Sequence, residues 1–260
     1  MFSDERFSLA KNVVSSAGEV ALEMFSDGTF AFKHKAEGDS LTAADLLVED
    51  YIKKRIFSQF PNDVIVSEES AFHQQPVSSR YVWLIDPIDG THSFSTGIAG
   101  WCISIAAVKG GEIVFGVIYD PVRKECFSAY KGKGAFLNTT PISLVSSSNI
   151  KEYAPRPYLA FGTSYRDDKD RISRALTRLI LLDYLPYRNG SAALCMAYVA
   201  ANRLLAFFEL NLHQWDVAAG YILLREAGLE VEYSFSDIDT ATTLICGRRD
   251  VVEEIKNKMI

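Results

Sequence analysis

The strongest constraint on the fold is a short apolar run, Tyr81-Val82-Trp83-Leu84-Ile85, that stops abruptly at Asp86. A run of this length bounded by a turn predicts a buried strand. The next residues, Asp86-Pro87-Ile88-Asp89-Gly90-Thr91, place two carboxylates three positions apart directly after that strand. Because ligand sites form at strand ends in α/β sheets, this segment is the first candidate for a functional site.

The chemistry of this segment suits a hard cation such as Mg²⁺, which prefers carboxylate and carbonyl oxygens. Pro87 fixes the backbone between the carboxylates, and Gly90 permits a tight turn. If Gly90 and Thr91 open a helix, their N–H groups are placed to bind phosphate oxygens. An Asp-Pro turn with a capping aspartate explains the same residues without a ligand, and a motif this short does not separate the two interpretations.

Composition narrows the class of protein. The 260 residues are 48% hydrophobic, enough for one large domain or two closely packed ones. The net charge of −6 argues against nonspecific binding to nucleic acid or anionic membranes. No apolar signal core or membrane-length run is present, so no membrane span is expected. Four cysteines without a CxxC pair predict buried free thiols in a reducing compartment, and hence a cytoplasmic protein.

Hydrophobic periodicity divides the chain into two differently organised halves. In the first half it predicts helices and strands, with helices over about 4–25 and 42–57 and strands at 64–66, 81–85, 101–108, 112–119 and 125–130. In the second half strands at 158–161, 204–208, 229–232 and 242–246 alternate with helices over about 167–182, 191–202, 216–227 and 249–259. The polar stretch around 139–152 predicts a boundary between an α+β half, 1–140, and an α/β half, 141–260.

Three further acidic segments accompany the Asp86 segment along the chain. Asp39–Asp45 opens a predicted helix, Val66-Ser67-Glu68-Glu69-Ser70 ends a predicted strand, and His213–Gly220 follows much later. Together and in this order, these segments resemble the inositol monophosphatase family of magnesium-dependent, lithium-sensitive phosphatases over roughly residues 5–230. The resemblance implies the family's layered α-β-α-β-α sandwich, with the site between the two halves.

The resemblance also implies a set of ligands for two or three Mg²⁺ ions. These positions match Glu68, Asp86, Asp89 and Asp216, together with the backbone carbonyl of Ile88. Glu68, Asp86 and the Ile88 carbonyl are assigned to the ion that activates water. Asp86, Asp89 and Asp216 are assigned to the ion at the leaving group. Such ions neutralise a phosphate monoester, activate water for direct attack and stabilise the leaving oxygen.

Other positions match residues that the family places around the nucleophile and the substrate. The threonine that orients the attacking water matches Thr91, its partner aspartate matches Asp45, and Glu68 completes the catalytic group. A family lysine near the site matches Lys35. The substrate-binding positions match Gly90, Thr91, Ser191, Ala192, Glu209 and His213.

Simpler structural explanations stay open for several of these residues. Ser191 also suits a helix cap, and His213 also suits a hydrogen-bonded structural histidine. Asp45 taken alone fits a solvated helix residue. Asp39 is interpreted as a helix cap rather than a catalytic acid, and Trp215 as core packing beside the site.

The resemblance leads to hypotheses from two functional classes. The first is a phosphatase acting on inositol-1-phosphate, which the positions of Glu209 and His213 favour; histidinol-phosphate phosphatase is the nearest enzymatic alternative. The second class is a regulatory role, because bacterial extragenic suppressor proteins of this family are partners of the RNA-processing and transcription machinery. A small phosphorylated metabolite and a homodimer are expected, a protein partner stays open, and nucleic acid and membrane are not expected.

Overall fold

The computed structural model describes residues 4–28, 32–36, 39–70, 80–144, 157–164, 167–235 and 242–259. Within these ranges the side chains of residues 32–36, 39–41 and 259 are not described. The predicted environment of Lys35 therefore lies outside the described residues, as does the Ser-rich stretch 145–150, and only the backbone of Asp39 is described.

The first part of the chain folds into helices, a small hairpin and a large sheet. Its elements are α1 (Glu5–Ser26), β1 (Phe32–Ala36), β2 (Asp39–Thr42), α2 (Ala43–Gln59), β3 (Val64–Ser67), β4 (Tyr81–Asp89), α3 (Thr91–Ser95), β5 (Cys102–Lys109), β6 (Glu112–Asp120), β7 (Glu125–Tyr130), β8 (Gly134–Leu137) and β9 (Thr140–Ile142). Strands β3 to β9 form a seven-stranded sheet in sequence order, and β1 pairs with β2. Only the β3–β4 pair of the large sheet is parallel.

The second part alternates strands and helices around a smaller sheet. Its elements are β10 (Tyr158–Phe161), α4 (Lys169–Leu181), β11 (Leu185–Tyr187), α5 (Ala192–Ala200), β12 (Ala206–Leu212), α6 (Gln214–Glu226), β13 (Glu230–Glu232), β14 (Thr242–Gly247) and α7 (Arg249–Met259). The strand order is β11-β10-β12-β14-β13. Strand β10 is parallel to both β11 and β12, while β14 is antiparallel to its two neighbours.

Packing of these elements produces five layers. Helices α1 and α2 cover one face of the seven-stranded sheet, and α5 and α6 lie between the two sheets. Helices α4 and α7 cover the outer face of the five-stranded sheet. Each layer buries apolar side chains on the face turned to its neighbour. The predicted α-β-α-β-α sandwich, which combines α+β and α/β character, is confirmed.

Helix α2 has an unusual buried face. Its apolar residues, such as Val48 and Ile52, follow helical spacing and pack against the large sheet. The same face buries two acids, Asp45 and Glu49. Charged groups are rarely buried without partners, so both acids indicate a polar network under this helix.

Several element boundaries differ from the sequence predictions. Strand β4 continues to Asp89 instead of ending at Ile85, and α6 begins at Gln214 instead of Asp216. Strands β8, β9 and β11 have no counterpart in the prediction. The predicted division at residue 140 falls inside β9, while the division into halves itself stays a prediction.

The four cysteines are all free thiols. Cys102, Cys195 and Cys246 are buried, but Cys126 is only half-buried, which corrects the expectation that all four are buried. Among the described residues, no helix is long and apolar enough to cross a membrane.

Candidate active site

The end of β4 carries the two aspartates of the Asp86 segment. Asp86 lies opposite Ser104 on β5, and Asp89 lies opposite Cys102, with an irregularity in the register between the two pairs. Such a bulge changes the direction in which following side chains point. Both residues are buried, at 2% exposure for Asp86 and 7% for Asp89.

Gly90 makes the sharp turn that follows. Its φ of +98° lies in the region that favours glycine, and a β-carbon there would stand 2.7 Å from the carbonyl oxygen of Gly100. The Gly90 carbonyl accepts a hydrogen bond from the N–H of Phe94 at 2.9 Å, which begins the short helix α3. Thr91 is the first residue of that helix, so the condition stated for a helix at this position is met.

Asp45 and Thr91 form a direct hydrogen bond. The Thr91 hydroxyl lies 3.1 Å from Asp45 Oδ1 and 3.0 Å from the carbonyl oxygen of Ile88. Asp45 Oδ2 accepts from the N–H of Thr42 at 2.8 Å and also from the Thr42 hydroxyl, so Asp45 is fixed by the helix cap. Burial raises the pKa of Asp45, although the hydrogen bonds from Thr42 and Thr91 oppose that shift. Asp45 is therefore not the solvated residue that its position alone would suggest.

The same cap settles one structural interpretation. The residue that caps α2 is Thr42, whose hydroxyl accepts from the N–H of Asp45 at 3.4 Å. Asp39 lies three residues earlier, at the first position of β2. The interpretation of Asp39 as the helix cap is therefore wrong, because the chain completes a strand before the helix begins.

Asp89 joins the large sheet to the start of α5. Its Oδ2 accepts hydrogen bonds from Ser191 Oγ at 2.7 Å and from the N–H of Ala193 at 2.6 Å, and Oδ1 accepts from the N–H of Ala192 at 3.3 Å. Burial raises the pKa of Asp89 to about 6 even though these hydrogen bonds lower it. The Ser191 hydroxyl also accepts from the N–H of Leu194 at 3.0 Å, so Ser191 caps α5 in addition to contacting the site.

Asp216 enters the site from the first turn of α6. Its Oδ2 accepts from the N–H of His213 at 2.7 Å, which fixes the carboxylate at the helix N-terminus. The imidazole of His213 stacks on Trp215, with 4.7 Å between ring centroids and an angle of 10° between the rings. Trp215 is buried, as expected of a core residue beside the site.

Glu68 follows directly after β3, next to the end of β4. Its N–H donates to the carbonyl oxygen of Ile85 at 3.1 Å, which extends the parallel pairing of the two strands by one residue. Parallel strands end at the same edge of a sheet, so Glu68 comes beside Asp86 although 18 positions separate them in sequence.

The charges of these acids act on one another. Burial, and then the charges of Glu68, Asp89 and Asp216, hold the pKa of Asp86 well above its ordinary value. Burial and the charges of Glu68 and Asp89 also raise the pKa of Asp216. The four carboxylates, contributed by three separate segments, are therefore close enough for their charges to interact.

The polar atoms of this region are of the kind that bind a metal ion. Asp86 Oδ1 is buried and, within the described residues, has no hydrogen-bond partner. A buried carboxylate oxygen is unfavourable unless a cation or a donor meets it. The surrounding groups are carboxylate and carbonyl oxygens, which suit Mg²⁺. No three His, Cys, Asp or Glu side chains of the described chain already form a metal-ligand cluster, so the predicted ligand set stays a prediction.

Glu209 lies on β12, in the second half of the chain. Its carboxylate covers Gly162, where a β-carbon would overlap it, so the absence of a side chain there makes room for Glu209. Burial and the nearby charge of Asp89 raise the pKa of Glu209 to about 8, and Arg188 partly opposes them. Arg188 itself donates to the carbonyl oxygen of Thr163 at 3.1 Å.

Two residues beside Asp89 carry no motif signal. Cys102 Sγ lies 3.4 Å from Ser191 Oγ and 3.9 Å from Asp89 Oδ2. Asn189 Oδ1 accepts from the N–H of Ser191 at 3.0 Å. The pairing register of β4 and β5 would have identified Cys102, because it lies opposite Asp89. Asn189 lies in the loop before α5, where no sequence pattern predicts a contact.

Comparison with solved structures identifies the class of fold to which this protein belongs. The crystal structure of the extragenic suppressor protein suhB from Bartonella henselae superposes with a TM-score of 0.86, covering 97% of each chain at 28% identity. The layers described above are therefore those of an established fold.

The chain belongs to the inositol monophosphatase family, whose model matches residues 3–254. A protein named Nus factor SuhB from Xylella fastidiosa is 37% identical over 220 residues, covering 82% of this chain and 76% of that protein. An inositol monophosphatase from Dictyostelium discoideum is 32% identical over 269 residues, covering 99% and 96%. The chain is thus a phosphoric monoester hydrolase of a family that is generally metal-dependent.

Proposed function

We propose that this protein hydrolyses a small phosphate monoester, with inositol-1-phosphate as the first candidate, and that it uses Mg²⁺. The observation that carries the proposal is the convergence of Glu68, Asp86, Asp89 and Asp216 from three segments, with an oxygen of Asp86 buried and unpartnered within the described chain. A role without catalysis gives no reason to keep so many acids together, since like charges in a buried region are unfavourable.

The proposed metal ligands are those that the sequence predicts. Glu68, Asp86 and the Ile88 carbonyl would hold one Mg²⁺, and Asp86, Asp89 and Asp216 another. When bound, the ions would neutralise the phosphate, lower the pKa of water and stabilise the leaving oxygen.

Thr91 and Asp45 would orient the attacking water. A hydroxyl has one proton and two lone pairs, so a Thr91 hydroxyl that donates to Asp45 keeps lone pairs to accept from water. Asp45 is held by Thr42 on its other oxygen, which restricts the direction of the Thr91 O–H. This arrangement places the water without contributing a metal ligand of its own.

On the substrate side, Glu209 would bind hydroxyl groups of the alcohol. Its raised pKa reflects a buried position from which it can accept or donate a hydrogen bond. His213 and the α5 N-terminus, with Ser191 and Ala192, complete the proposed substrate side, although Ser191 and Ala192 already donate to Asp89. Gly90 contributes backbone next to the phosphate.

The direct test is a steady-state assay of the purified protein with Mg²⁺. We expect inositol-1-phosphate to give a higher specificity constant than histidinol phosphate and a generic aryl phosphate. A clear preference for histidinol phosphate would replace the substrate but keep the chemistry. Absence of hydrolysis of every phosphate monoester in the panel would reject the proposal.

A second candidate is a protein-binding role of the kind suggested by the name Nus factor SuhB, which several relatives carry. The two roles are separable, because Asp216→Asn should remove hydrolysis and leave a surface-mediated interaction intact. A homodimer and a cytoplasmic location complete the proposal. The four free thiols support a reducing compartment, and light scattering of the purified chain tests the dimer.

A further inference from the structure

The buried face of α2 sends two carboxylates, one turn apart, to two different segments of the site. Asp45 reaches Thr91. Glu49 is only 7% exposed and reaches Ser70 instead. Its Oε1 accepts from Ser70 Oγ at 2.6 Å and lies 2.9 Å from Lys53 Nζ. The proposed reaction uses neither Glu49 nor Lys53, so this ion pair, of which only Glu49 is buried, has no role in it so far.

Ser70 closes the turn that carries Glu68. The N–H of Ser70 donates to the carbonyl oxygen of Ser67 at 3.2 Å, so Glu68 is the second residue of a four-residue turn. The side chain of Ser70 contacts both Glu49 and Lys53. The last residue of the turn is therefore fixed twice, by the end of β3 through its backbone and by α2 through its hydroxyl.

The negative charge of Glu49 strengthens its hydrogen bonds with Ser70 and Lys53. Burial alone raises the pKa of Glu49, but hydrogen bonds from Ser70 and Lys53 outweigh burial and hold the pKa below its ordinary value. Glu49 is thus an ionised acceptor, and hydrogen bonds to ionised groups are shorter and stronger than neutral ones.

We propose that Glu49 and Lys53 are positioning residues that hold Glu68 in place for metal binding, acting through the Ser70 hydroxyl. This inference rests on the proposed role of Glu68 as a metal ligand. Helix α2 then supports the site at two points, the water-orienting Thr91 through Asp45 and the metal ligand Glu68 through Glu49.

The test measures metal binding directly. Mn²⁺ affinity is determined by calorimetry for the wild-type protein, Ser70→Ala, Glu49→Gln and the double variant. Loss of a partner that orients a metal ligand typically weakens metal affinity on the order of 10-fold or more. We expect each single variant to show such a loss, the double variant to lose little more, and kcat to recover at saturating Mg²⁺.

A matched control lies on the same helix. Asp50 and Lys54 form an exposed ion pair with the same four-residue spacing, at 2.6 Å. Asp50→Asn should leave Mn²⁺ affinity unchanged. An equal loss in Asp50→Asn would show a general effect of α2 and overturn the inference.

The remaining outcomes are also decisive. Ser70 is exposed, so Ser70→Ala is expected to fold even if Glu49→Gln does not. In that case the Mn²⁺ affinity of Ser70→Ala alone tests the inference. Unchanged Mn²⁺ affinity in folded Ser70→Ala overturns the positioning role and leaves the proposed function standing. A wild-type protein that binds no Mn²⁺ overturns both.

Discussion

Single residues of this protein gain their chemistry from contacts between distant segments. Asp45 and Thr91 are 46 positions apart, yet one hydrogen bond joins them and a helix cap fixes the acid. A lone aspartate on a helix and a lone threonine after a glycine would each have an ordinary structural explanation. Their contact makes a role in orienting water the stronger hypothesis.

The Thr91–Asp45 pair should behave as one unit in catalysis. Thr91→Ala and Asp45→Asn remove the orientation of water and keep all proposed metal ligands, so kcat should fall on the order of 10²–10⁴-fold in each. The double variant should lose little more than either single one. Steady-state kinetics at saturating Mg²⁺ measures this; losses that multiply in the double variant would show two independent roles.

Glu209 should determine which alcohol is accepted. Glu209→Gln keeps the shape over Gly162 and removes the ionisable group, so the specificity constant for inositol-1-phosphate should fall more than that for an aryl phosphate. The readout is the ratio of the two constants, with Mg²⁺ activation measured alongside. Equal losses on both substrates would assign Glu209 a structural role.

At the scale of elements, the site depends on the contact between the end of strand β4 in the seven-stranded sheet and the N-terminus of helix α5. Helix α5 also packs on the five-stranded sheet. Asp89 at the end of β4 accepts hydrogen bonds from three donors at the start of α5. An asparagine at this position would replace one acceptor oxygen with a donor that faces other donors. Asp89→Asn is therefore expected to lower stability as well as turnover, because an unmet buried donor is unfavourable.

The cap of α5 permits a matched test of this coupling. Ser191→Ala removes the α5 cap and one donor to Asp89. Asp168→Ala removes the cap of α4, where the Asp168 carboxylate accepts from the N–H groups of Asp170 and Arg171. Each should cost about 1 kcal/mol of stability. Only Ser191→Ala should also lower kcat or Mg²⁺ affinity. Denaturant unfolding and kinetics on both variants decide; equal activity losses would contradict a specific role of α5.

At the scale of the whole molecule, contacts between the two sheets and their helices hold the site together. The Glu226 carboxylate of α6 accepts from three consecutive N–H groups of the β7–β8 turn, at residues 132–134. Arg203, after α5, forms two hydrogen bonds of 2.6 Å with Glu125 on β7. These links hold α5 and α6, which bring Ser191 and Asp216 to the site, against the large sheet.

Metal binding should stabilise the whole molecule. The buried carboxylates repel one another, and a bound cation compensates that repulsion in the folded state only. At a hundred times its dissociation constant, Mg²⁺ should add about 2.7 kcal/mol of stability. Thermal melts with chelator and with excess Mg²⁺ measure the effect, with Asp216→Asn as the control in which it should shrink. Superimposable curves for the wild-type protein would argue against a metal site.

The Glu125–Arg203 pair should make stability depend on pH. The hydrogen bonds from Arg203 lower the pKa of Glu125 in the folded protein, although burial opposes them. A lowered folded pKa contributes stability above the unfolded value of about 4.3, and this contribution disappears as the pH falls through the folded pKa. Glu125→Gln should therefore melt at a lower temperature than wild type at pH 7, with the difference vanishing in acid.

A control for that experiment comes from a second ion pair of the large sheet. Glu112 and Lys131 are 2.7 Å apart, but both side chains are more than half exposed. Glu112→Gln should change the melting temperature little at any pH, because exposed ion pairs contribute little. A similar pH-dependent difference in both variants would assign the effect to net charge.

The sequence by itself determined most of the elements and the chemical type of the site. The apolar run before Asp86, the helical spacing in α1 and the alternation of strands and helices in the second half all depend on local periodicity. Local periodicity can be read from a single sequence, because the position of a residue along a helix or strand fixes the face of that element on which its side chain lies. The segment Asp86 to Thr91 stands out at the end of such an apolar run, whereas Glu68 and Asp216 are assigned by the resemblance of the ordered acidic segments to the inositol monophosphatase family.

Only the tertiary structure decided which of these groups meet and what each contact does. The contact of Asp89 with the start of α5, the Gly162 space under Glu209 and the Glu49–Ser70 contact connect residues that are far apart in sequence. The short strands β8, β9 and β11, which the sequence pattern does not predict, are paired with neighbouring strands of the two sheets. Such contacts arise from the packing of layers, a long-range effect that no local pattern encodes.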